Sequence, residues 1–237
     1  MRSAAFLIPI SVCAAALTFA GCATRQNSAA PGKFPARYKA DDGRNVVIGS
    51  STASNSGWNF KHPHLAHCWI ADGFDFTGYD ALYIAPVKST ATFHDDEKRL
   101  HEWTAGNYVE QLSDFIRARQ LFATVVTNES ALPANARYLT MENTIVEYSK
   151  GGGAARYFAG MYGAGQPVLR VQGRMTDAGQ EKFAFDVRRS GVSSSSRMWG
   201  GFMKDEDVQV GDIRSMTLDL SDFMAAIAGK YTSRHAR

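Results

Sequence analysis

The sequence predicts an α+β fold in which a mixed, mostly antiparallel sheet carries two main helices on one face. Apolar and polar residues alternate over residues 137–148 and again on both sides of a turn within residues 167–189, as in strands with one buried face. Two other regions, residues 94–119 and the stretch after Asp207, repeat apolar residues at helical spacing. The predicted order is strand, helix, strand, strand, hairpin, helix.

The first strand and the first helix have clear boundaries. The segment "DALYIAPV", Asp80–Val87, is apolar and aromatic and ends at a proline, which is typical of a strand. In the helix that follows, the acidic residues 95–97 stand at the start and Arg117 and Arg119 at the end, as the helix dipole favours. Its apolar stripe is Leu100, Trp103, Tyr108, Leu112, Phe115 and Ile116.

The next elements follow from the same patterns. "LFATVV", residues 121–126, predicts a short buried strand, and residues 137–148 predict a longer strand with Leu139, Met141 and Ile145 on one face. After a polar loop that begins at Ser193, a second helix closes the chain. Its apolar stripe is Leu220, Phe223, Met224, Ile227 and Tyr231.

The segment "PVLRVQGRMTDAGQEKFAFDVRR" predicts a hairpin whose register follows from its two apolar faces. A three-residue loop, Asp177–Gly179, would place its glycine at the left-handed position that such a loop requires. This register pairs Val171 with Phe185 and Leu169 with Val187.

The amino terminus has the order of a secretory leader: a positive charge at Arg2, an apolar run over residues 4–20, and small residues before Cys22. A transmembrane helix fits less well, because the run is short and contains a proline. "AGC" at residues 20–22 resembles the lipobox of bacterial lipoproteins, in which the cysteine receives a diacylglycerol. An ordinary signal peptide with an incidental cysteine is the alternative.

The resemblance implies cleavage before Cys22 and lipid attachment at its thiol, which would anchor the protein to a membrane. In such lipoproteins an aspartate directly after the cysteine favours retention in the inner membrane. This chain has Ala23 at that position, so the resemblance implies sorting to the periplasmic side of the outer membrane. Residues 1–21 are then the signal peptide, and residues 22–57 are a flexible tether rich in Ser, Ala, Asn, Gly and Pro, in which "NVVIG" at Asn45–Gly49 is a candidate short strand. Residues 58–237 form a single α+β domain.

Composition narrows the class of protein further. With Cys22 acylated and Cys13 removed, only Cys68 remains, so the mature chain forms no internal disulfide and depends on its core. At 237 residues and 45% hydrophobic content the chain is large enough for such a core. The net charge of +3 is too small to indicate nucleic-acid binding.

Several segments together resemble a known family of bacterial lipoproteins. They are "DFTGYDALYIAPV", the helix ending in "LF", the long alternating strand, "YGAGQPVLRVQGRMTDAGQEKFAF" and the terminal helix. These features are similar to a domain-of-unknown-function family, of the four-four-one-zero type or its three-three-one-three-type relative. The resemblance covers most of residues 68–232 and implies envelope lipoproteins with no established reaction. "GYDALYIAPV" also resembles the first strand of periplasmic accessory domains.

The segment "HPHLAHC" contains His62, His64, His67 and Cys68, all of them residue types that bind zinc. Four ligands from seven consecutive residues give poor tetrahedral geometry, because such sites usually join two separated clusters. We interpret the segment as a partly exposed entry to the domain with Cys68 in the core, and we predict no tight metal binding.

Two glycine- or serine-rich segments carry no catalytic motif. "GGGAARYFAGMYGAG" lacks the Gly-Lys-Ser/Thr ending of a phosphate loop and is interpreted as a crossover connection, with a membrane-touching segment as the alternative. "GVSSSSRMWGGF" lacks the nucleophile elbow of hydrolases. Its Trp199 and Phe202 are candidate partner contacts, because aromatic loop residues are enriched in interfaces.

The outward face of the hairpin is the other candidate site. The predicted register directs Arg170, Arg174, Lys182 and Arg188 away from the core. It places Arg170 opposite Asp186 and Arg174 opposite Lys182, which leaves the face with a charge of +3. This face is a candidate contact for anions or an acidic partner, and the alternative is an ordinary solvated strand face. Because none of these arginines would support the core, their replacement by glutamine is predicted to leave folding intact.

These observations favour a lipid-anchored outer-membrane lipoprotein that acts as a non-catalytic binding or assembly accessory. No cofactor is expected, and the expected partners are the membrane and an envelope protein or peptidoglycan. The alternative is an envelope hydrolase or other enzyme whose site assembles from distant residues. A deep pocket with converging titratable groups would favour an enzyme, and a shallow face would favour a binding module.

Overall fold

The computed structural model describes residues 34–152, 165–190 and 205–233. The helices are α1 (Lys98–Ala118) and α2 (Asp205–Ile227). The strands are β1 (Arg37–Lys39), β2 (Asn45–Val47), β3 (Ser50–Ser54), β4 (Gly57–Lys61), β5 (His67–Ala71), β6 (Ala81–Ile84), β7 (Lys88–Ser89), β8 (Thr124–Val126), β9 (Tyr138–Ser149), β10 (Val168–Asp177), β11 (Gln180–Ser190) and β12 (Thr232–Ser233).

Most strands of the described chain form one large sheet, in the order β3-β4-β5-β11-β10-β9-β6-β8. β6 runs parallel to β8 and β9, the short β7 also pairs in parallel with β9, and the remaining pairs are antiparallel. The parallel strands lie where α1 connects β7 to β8, since a parallel pair needs a crossover connection. The predicted class, an α+β fold with a mixed, mostly antiparallel sheet and two helices, is confirmed.

A small second sheet, in the order β12-β1-β2, changes the predicted domain boundary. The sequence predicted a tether over residues 22–57, but β1, β2 and β3 all lie within residues 37–54. Ile48, between β2 and β3, is completely buried, and Phe34 packs its ring on Trp58 and Phe60. The folded domain therefore includes at least residues 34–57, which composition alone had marked as a linker.

The inner face of the large sheet packs against the helices and forms the core. Leu139, Met141 and Ile145 of β9 are fully buried, as the alternation in the sequence predicted. None of the helices within the described residues is long and apolar enough to cross a membrane. The helical residues in this core include Tyr108, Leu112, Ile116, Ile213, Met216, Leu220, Phe223 and Met224.

The β10–β11 hairpin has the predicted faces but not the predicted register. Val171 pairs with Val187, not with Phe185, and the loop has two residues, Ala178 and Gly179. Both have positive φ, 47° and 83°, as a type I′ turn requires. A bulge at Lys182, which has no direct partner on β10, takes up the extra residue. From Phe183 onward the pairing differs from the predicted one by two residues, so these side chains keep their predicted faces, whereas the bulge places Glu181 opposite Thr176.

Gly173 on β10 is the point of closest packing within the hairpin. A Cβ at this position would lie 2.3 Å from the Phe185 ring and 2.8 Å from Oδ1 of Asn143. Both neighbours are buried, so neither can move aside easily. The glycine therefore provides the space in which the Phe185 ring packs.

We expect Gly173→Ala to lower the free energy of unfolding by about 1–3 kcal/mol, because the added methyl group overpacks the core. Gly106→Ala is the matched control: Gly106 lies inside α1, and nothing lies within 4 Å of the point that the added methyl group would occupy. That substitution should stabilise the helix by about 0.5–1 kcal/mol. Chemical denaturation of the two variants measures both effects, and equal stability of the Gly173 variant and the wild type would contradict the packing argument.

A buried carboxylate joins both helices to the small sheet. Asp222 on α2 has a side chain 7% exposed and accepts hydrogen bonds from Arg44 at 2.6 Å, Arg119 at 2.7 Å and Tyr231 at 2.7 Å. Arg44 lies in the β1–β2 turn, Arg119 follows α1, and Tyr231 precedes β12. These contacts fix the small sheet against the ends of both helices.

Candidate functional site

An open groove crosses the outer face of the large sheet, on the side away from the helices. Its volume is about 620 Å³. Neighbouring strands provide its walls: β7 and β9 on one side, β10 in the middle, and β11 and β5 on the other. Its polar lining residues are His67, Lys88, Thr90, Glu142, Thr144, Gln172, Arg174, Glu181 and Asp186.

On the β9 side, Glu142 binds two cations at once. Its Oε2 accepts hydrogen bonds from Nε and Nη2 of Arg174 at 2.8 and 2.6 Å, and its Oε1 accepts one from Nζ of Lys88 at 3.2 Å. The hydrogen bonds from Arg174, and then those from Lys88, hold the pKa of Glu142 below its ordinary value. The parallel pairing of β7 with β9, which sets Lys88 beside Thr144, positions the lysine.

On the β11 side, Asp186 is the buried carboxylate of the outer face. Nε of Arg170 lies 2.9 Å from its Oδ1, and Nε2 of Gln172 lies 3.0 Å from its Oδ2. Burial acts to raise the pKa of Asp186, but the hydrogen bonds from Arg170 and Gln172 and the charge of Arg170 outweigh it and lower the pKa. Asp186 is only 9% exposed, so it needs these partners to remain charged.

A third ion pair spans the full width of β10. Arg188 on β11 reaches Glu147 on β9 through two hydrogen bonds of 2.9 Å. The pKa of Glu147 is lowered chiefly by these bonds. Arg170 lies between them in the sheet, directly opposite both Arg188 and Glu147. The adjacent guanidinium groups of Arg170 and Arg188 are thus each neutralised by a carboxylate, Asp186 and Glu147 respectively.

The predicted charge pairs of the hairpin were wrong in detail. Arg170 faces Arg188 in the ladder rather than Asp186, which it reaches diagonally, and Arg174 faces Ala184 rather than Lys182. Lys182 lies in the bulge and donates to Oε1 of Gln180 at 3.1 Å. These pairs differ from the predicted ones because the loop has two residues and the bulge at Lys182 shifts the register by two.

β9 lies beside the hairpin and adds Glu142 and Glu147 to the same face, so the three arginines are already paired. Replacing them with glutamine also has a cost that the sequence did not predict. Without Arg170, the buried Asp186 would lose its main charged partner.

The chemistry of this face is that of charged recognition. Ion pairing and hydrogen bonds lower the pKa values of Glu142, Glu147 and Asp186 and raise the pKa values of Arg170 and Arg174 against the opposing effect of burial, so all five stay charged at neutral pH. A general acid or base needs a pKa near the working pH. The geometry therefore suits binding through complementary charge and hydrogen bonds.

The histidine-rich segment is divided between three environments. Nδ1 of His62 accepts hydrogen bonds from the backbone N–H groups of His64 and Leu65 at 3.0 and 2.9 Å, and burial lowers its pKa to about 4. Cys68 is completely buried, which raises the pKa of its thiol, and His67 lines the groove. Among the described residues, no group of three or more His, Cys, Asp or Glu side chains is arranged to hold a metal ion.

Several predicted positions lie outside the described residues: Cys22, the aromatic residues of the glycine-rich segment at 157–162, Trp199 and Phe202. The groove itself was only partly anticipated. Lys88 and His67 were missed because they reach the face through strand neighbours distant in sequence. Glu142 and Thr144 carried a usable signal, since the buried Met141 and Ile145 imply that the even-numbered residues of this strand segment point outward.

Asp212 on α2 is a buried titratable group away from the groove. It is 3% exposed, and within the described chain its Oδ2 accepts no hydrogen bond. Burial raises its pKa to about 7, although the charge of Arg189 opposes the shift. Since the unfolded chain ionises near pH 3.8, the carboxyl stabilises the fold in acid and loses that contribution as the pH rises through 7.

We expect Asp212→Asn to gain stability relative to the wild type as the pH rises. The difference in free energy of unfolding between the two proteins should shift by about 1–3 kcal/mol between pH 5 and pH 8, in favour of the variant. Urea denaturation at both pH values measures this difference. A difference that does not change with pH would show that Asp212 is ionised throughout.

The chain was also compared with known proteins. It matches no known protein family and no curated protein by sequence. Among solved structures it is similar to the PelC dodecamer from Paraburkholderia phytofirmans, with 14% identity and a TM-score of 0.41 over 65% of this chain and 94% of that one. A variant of that dodecamer gives 16% identity and the same TM-score over 65% and 97%.

A presumed lipoprotein from Caulobacter crescentus CB15 is 15% identical, with a TM-score of 0.25 over 59% of this chain and 91% of that one. With TM-scores below 0.5, these likenesses support no argument about the function of this chain.

Proposed function

We propose that the protein is a lipoprotein anchored at Cys22 on the periplasmic side of the outer membrane, and that it serves there as a non-catalytic binding or assembly accessory. The lipobox-like residues 20–22 support lipid attachment at Cys22, and Ala23 supports the outer membrane as the location. The polar composition that follows, up to Phe34, suits a connection between the anchor and the domain.

The open groove on the outer face of the large sheet carries the binding part of the proposal. It presents cations and carboxylates already held in fixed positions by one another, at Glu142–Arg174 and Asp186–Arg170. Preorganised charge of this kind adds specificity and speeds encounter with a complementary partner. The groove is shallow and its paired groups stay charged at neutral pH, which favours a binding module over an enzyme.

The anchor is tested by metabolic labelling with a palmitate analogue. The wild-type protein should incorporate the label and fractionate with the outer membrane. Cys22→Ser should lose the label completely, because its hydroxyl does not replace the acylated thiol. Cys68→Ser is the matched control: Cys68 is buried in β5, so its loss should leave labelling unchanged. Equal labelling of wild type and Cys22→Ser would refute the anchor.

A further inference from the structure

The small sheet presents a second surface, distinct from the groove. Tyr38 and Val46 point into the core, with exposed fractions of 5% and 6%. The alternate positions point outward, so Arg37, Lys39 and Val47 share the outer face. Arg37 pairs directly with Val47 across β1 and β2.

This outer face combines unpaired cations with an exposed apolar side chain. Within the described residues, neither Arg37 nor Lys39 has a carboxylate within ion-pair distance, in contrast to Arg170, Arg174 and Arg188 on the outer face of the large sheet, each of which has one. Val47 is 38% exposed and is one of three exposed large hydrophobic residues in the described chain. Asp42, in the turn beyond Lys39, is bound by Arg44.

Chain connectivity places this face close to the proposed anchor. Eleven residues lie between Cys22 and Phe34, and β1 begins three residues after Phe34. Even a fully extended segment of that length spans only about 40 Å. On the other side of β1 lies β12. β1, the first described strand after the proposed anchor, therefore also carries Arg37 and Lys39.

We propose that the outer face of the small sheet docks on anionic phospholipid head groups and so orients the domain on the membrane. The proposal rests on the lipid anchor at Cys22 proposed above. Phosphate groups would be bound by Arg37 and Lys39, and Val47 would contact the head-group boundary. A single lipid attachment holds a protein near a membrane without fixing its orientation, whereas basic residues next to an anchor add electrostatic attraction to an anionic surface.

The acylated, mature protein is reconstituted into phosphatidylcholine vesicles with or without phosphatidylglycerol, each containing a photoactivatable phospholipid probe. Mass spectrometry locates the crosslinks and also measures the acyl mass on the amino-terminal peptide. With phosphatidylglycerol present, crosslinks should concentrate on residues 34–49. Arg37→Gln with Lys39→Gln should reduce the docking equilibrium by about fivefold for each cation removed. High salt should reduce it as well, because it screens exposed charges.

The matched control removes two other cations, Lys98→Gln at the start of α1 and Lys182→Gln in the bulge of β11, and should leave the crosslinks in place. If the crosslinks did not depend on phosphatidylglycerol, or if their yield decreased equally in both double variants, the docking proposal would be refuted while the lipid anchor would still stand. An amino-terminal peptide without acyl mass would instead refute the proposed anchor, and the docking proposal with it.

Discussion

Asp222→Asn is expected to destabilise the protein by about 3–5 kcal/mol, the cost of breaking a buried ion cluster by removing one partner. The carboxylate is 7% exposed and Arg119, which bonds to it, is 15% exposed. An amide of the same size would leave Arg119 without a negative charge and Arg44 with only the exposed Asp42 as its carboxylate partner. Since these residues lie in three different elements, the loss should appear as a lower free energy of unfolding for the whole domain.

The measurement is chemical denaturation, with Asp42→Asn as the matched control. Asp42 binds the same Arg44, but it is exposed in the turn, where an ion pair adds little stability. The control should unfold at nearly the denaturant concentration of the wild type. If Asp222→Asn were as stable as Asp42→Asn, the cluster would not hold the small sheet against the helices.

Reversing one charge in the groove is expected to reduce the recovery of crosslinked partners from envelopes at least about tenfold, since like charges facing each other across an interface cost several kcal/mol. Arg174→Glu makes this change but also places two carboxylates together at Glu142. The double variant Arg174→Glu with Glu142→Arg restores an internal ion pair of opposite direction. Lys88 would then lie beside an arginine instead of a carboxylate, but it is 69% exposed and solvent screens the repulsion. The double variant should therefore still fold, and it should lose the partner.

The pair between Arg99 on α1 and Glu206 on α2, 3.1 Å apart, offers the matched control. Reversing both of its charges changes an exposed ion pair outside the groove and should leave partner recovery unchanged. If the groove reversal and this reversal gave the same recovery as the wild type at every ionic strength, the outer face would be a solvated surface only.

Periodicity was sufficient to predict the elements that bury one face. The residues Leu139, Met141 and Ile145 alternate because β9 covers the core with every second side chain, and the structure confirms that face. β3 was missed because its sequence, "SSTAS", has the composition of a linker and its side chains are mostly exposed. Its pairing with β4 is what makes it a strand, and strand pairing is not visible in local composition.

The sequence was sufficient to predict which face of the sheet carries the candidate site, but not the net charge of that face. The alternation of β10 correctly directed Arg170 and Arg174 outward, since a register error of an even number of residues preserves the face. The hairpin alone does not reveal which strand lies beside it. Glu142 and Glu147 come from β9, so the predicted positive face is in fact a set of ion pairs.

The most direct test of the binding role is site-specific photo-crosslinking in intact cells. A photoreactive amino acid replaces Thr144, which lines the groove, or Glu110, which is exposed on α1 as the control. Binding at the groove predicts discrete crosslinked species from Thr144 that are absent from Glu110 and are lost when Arg174 and Glu142 are exchanged. No crosslinked species from Thr144, or the same species from both positions, would contradict the role of the outer face as the partner-binding surface.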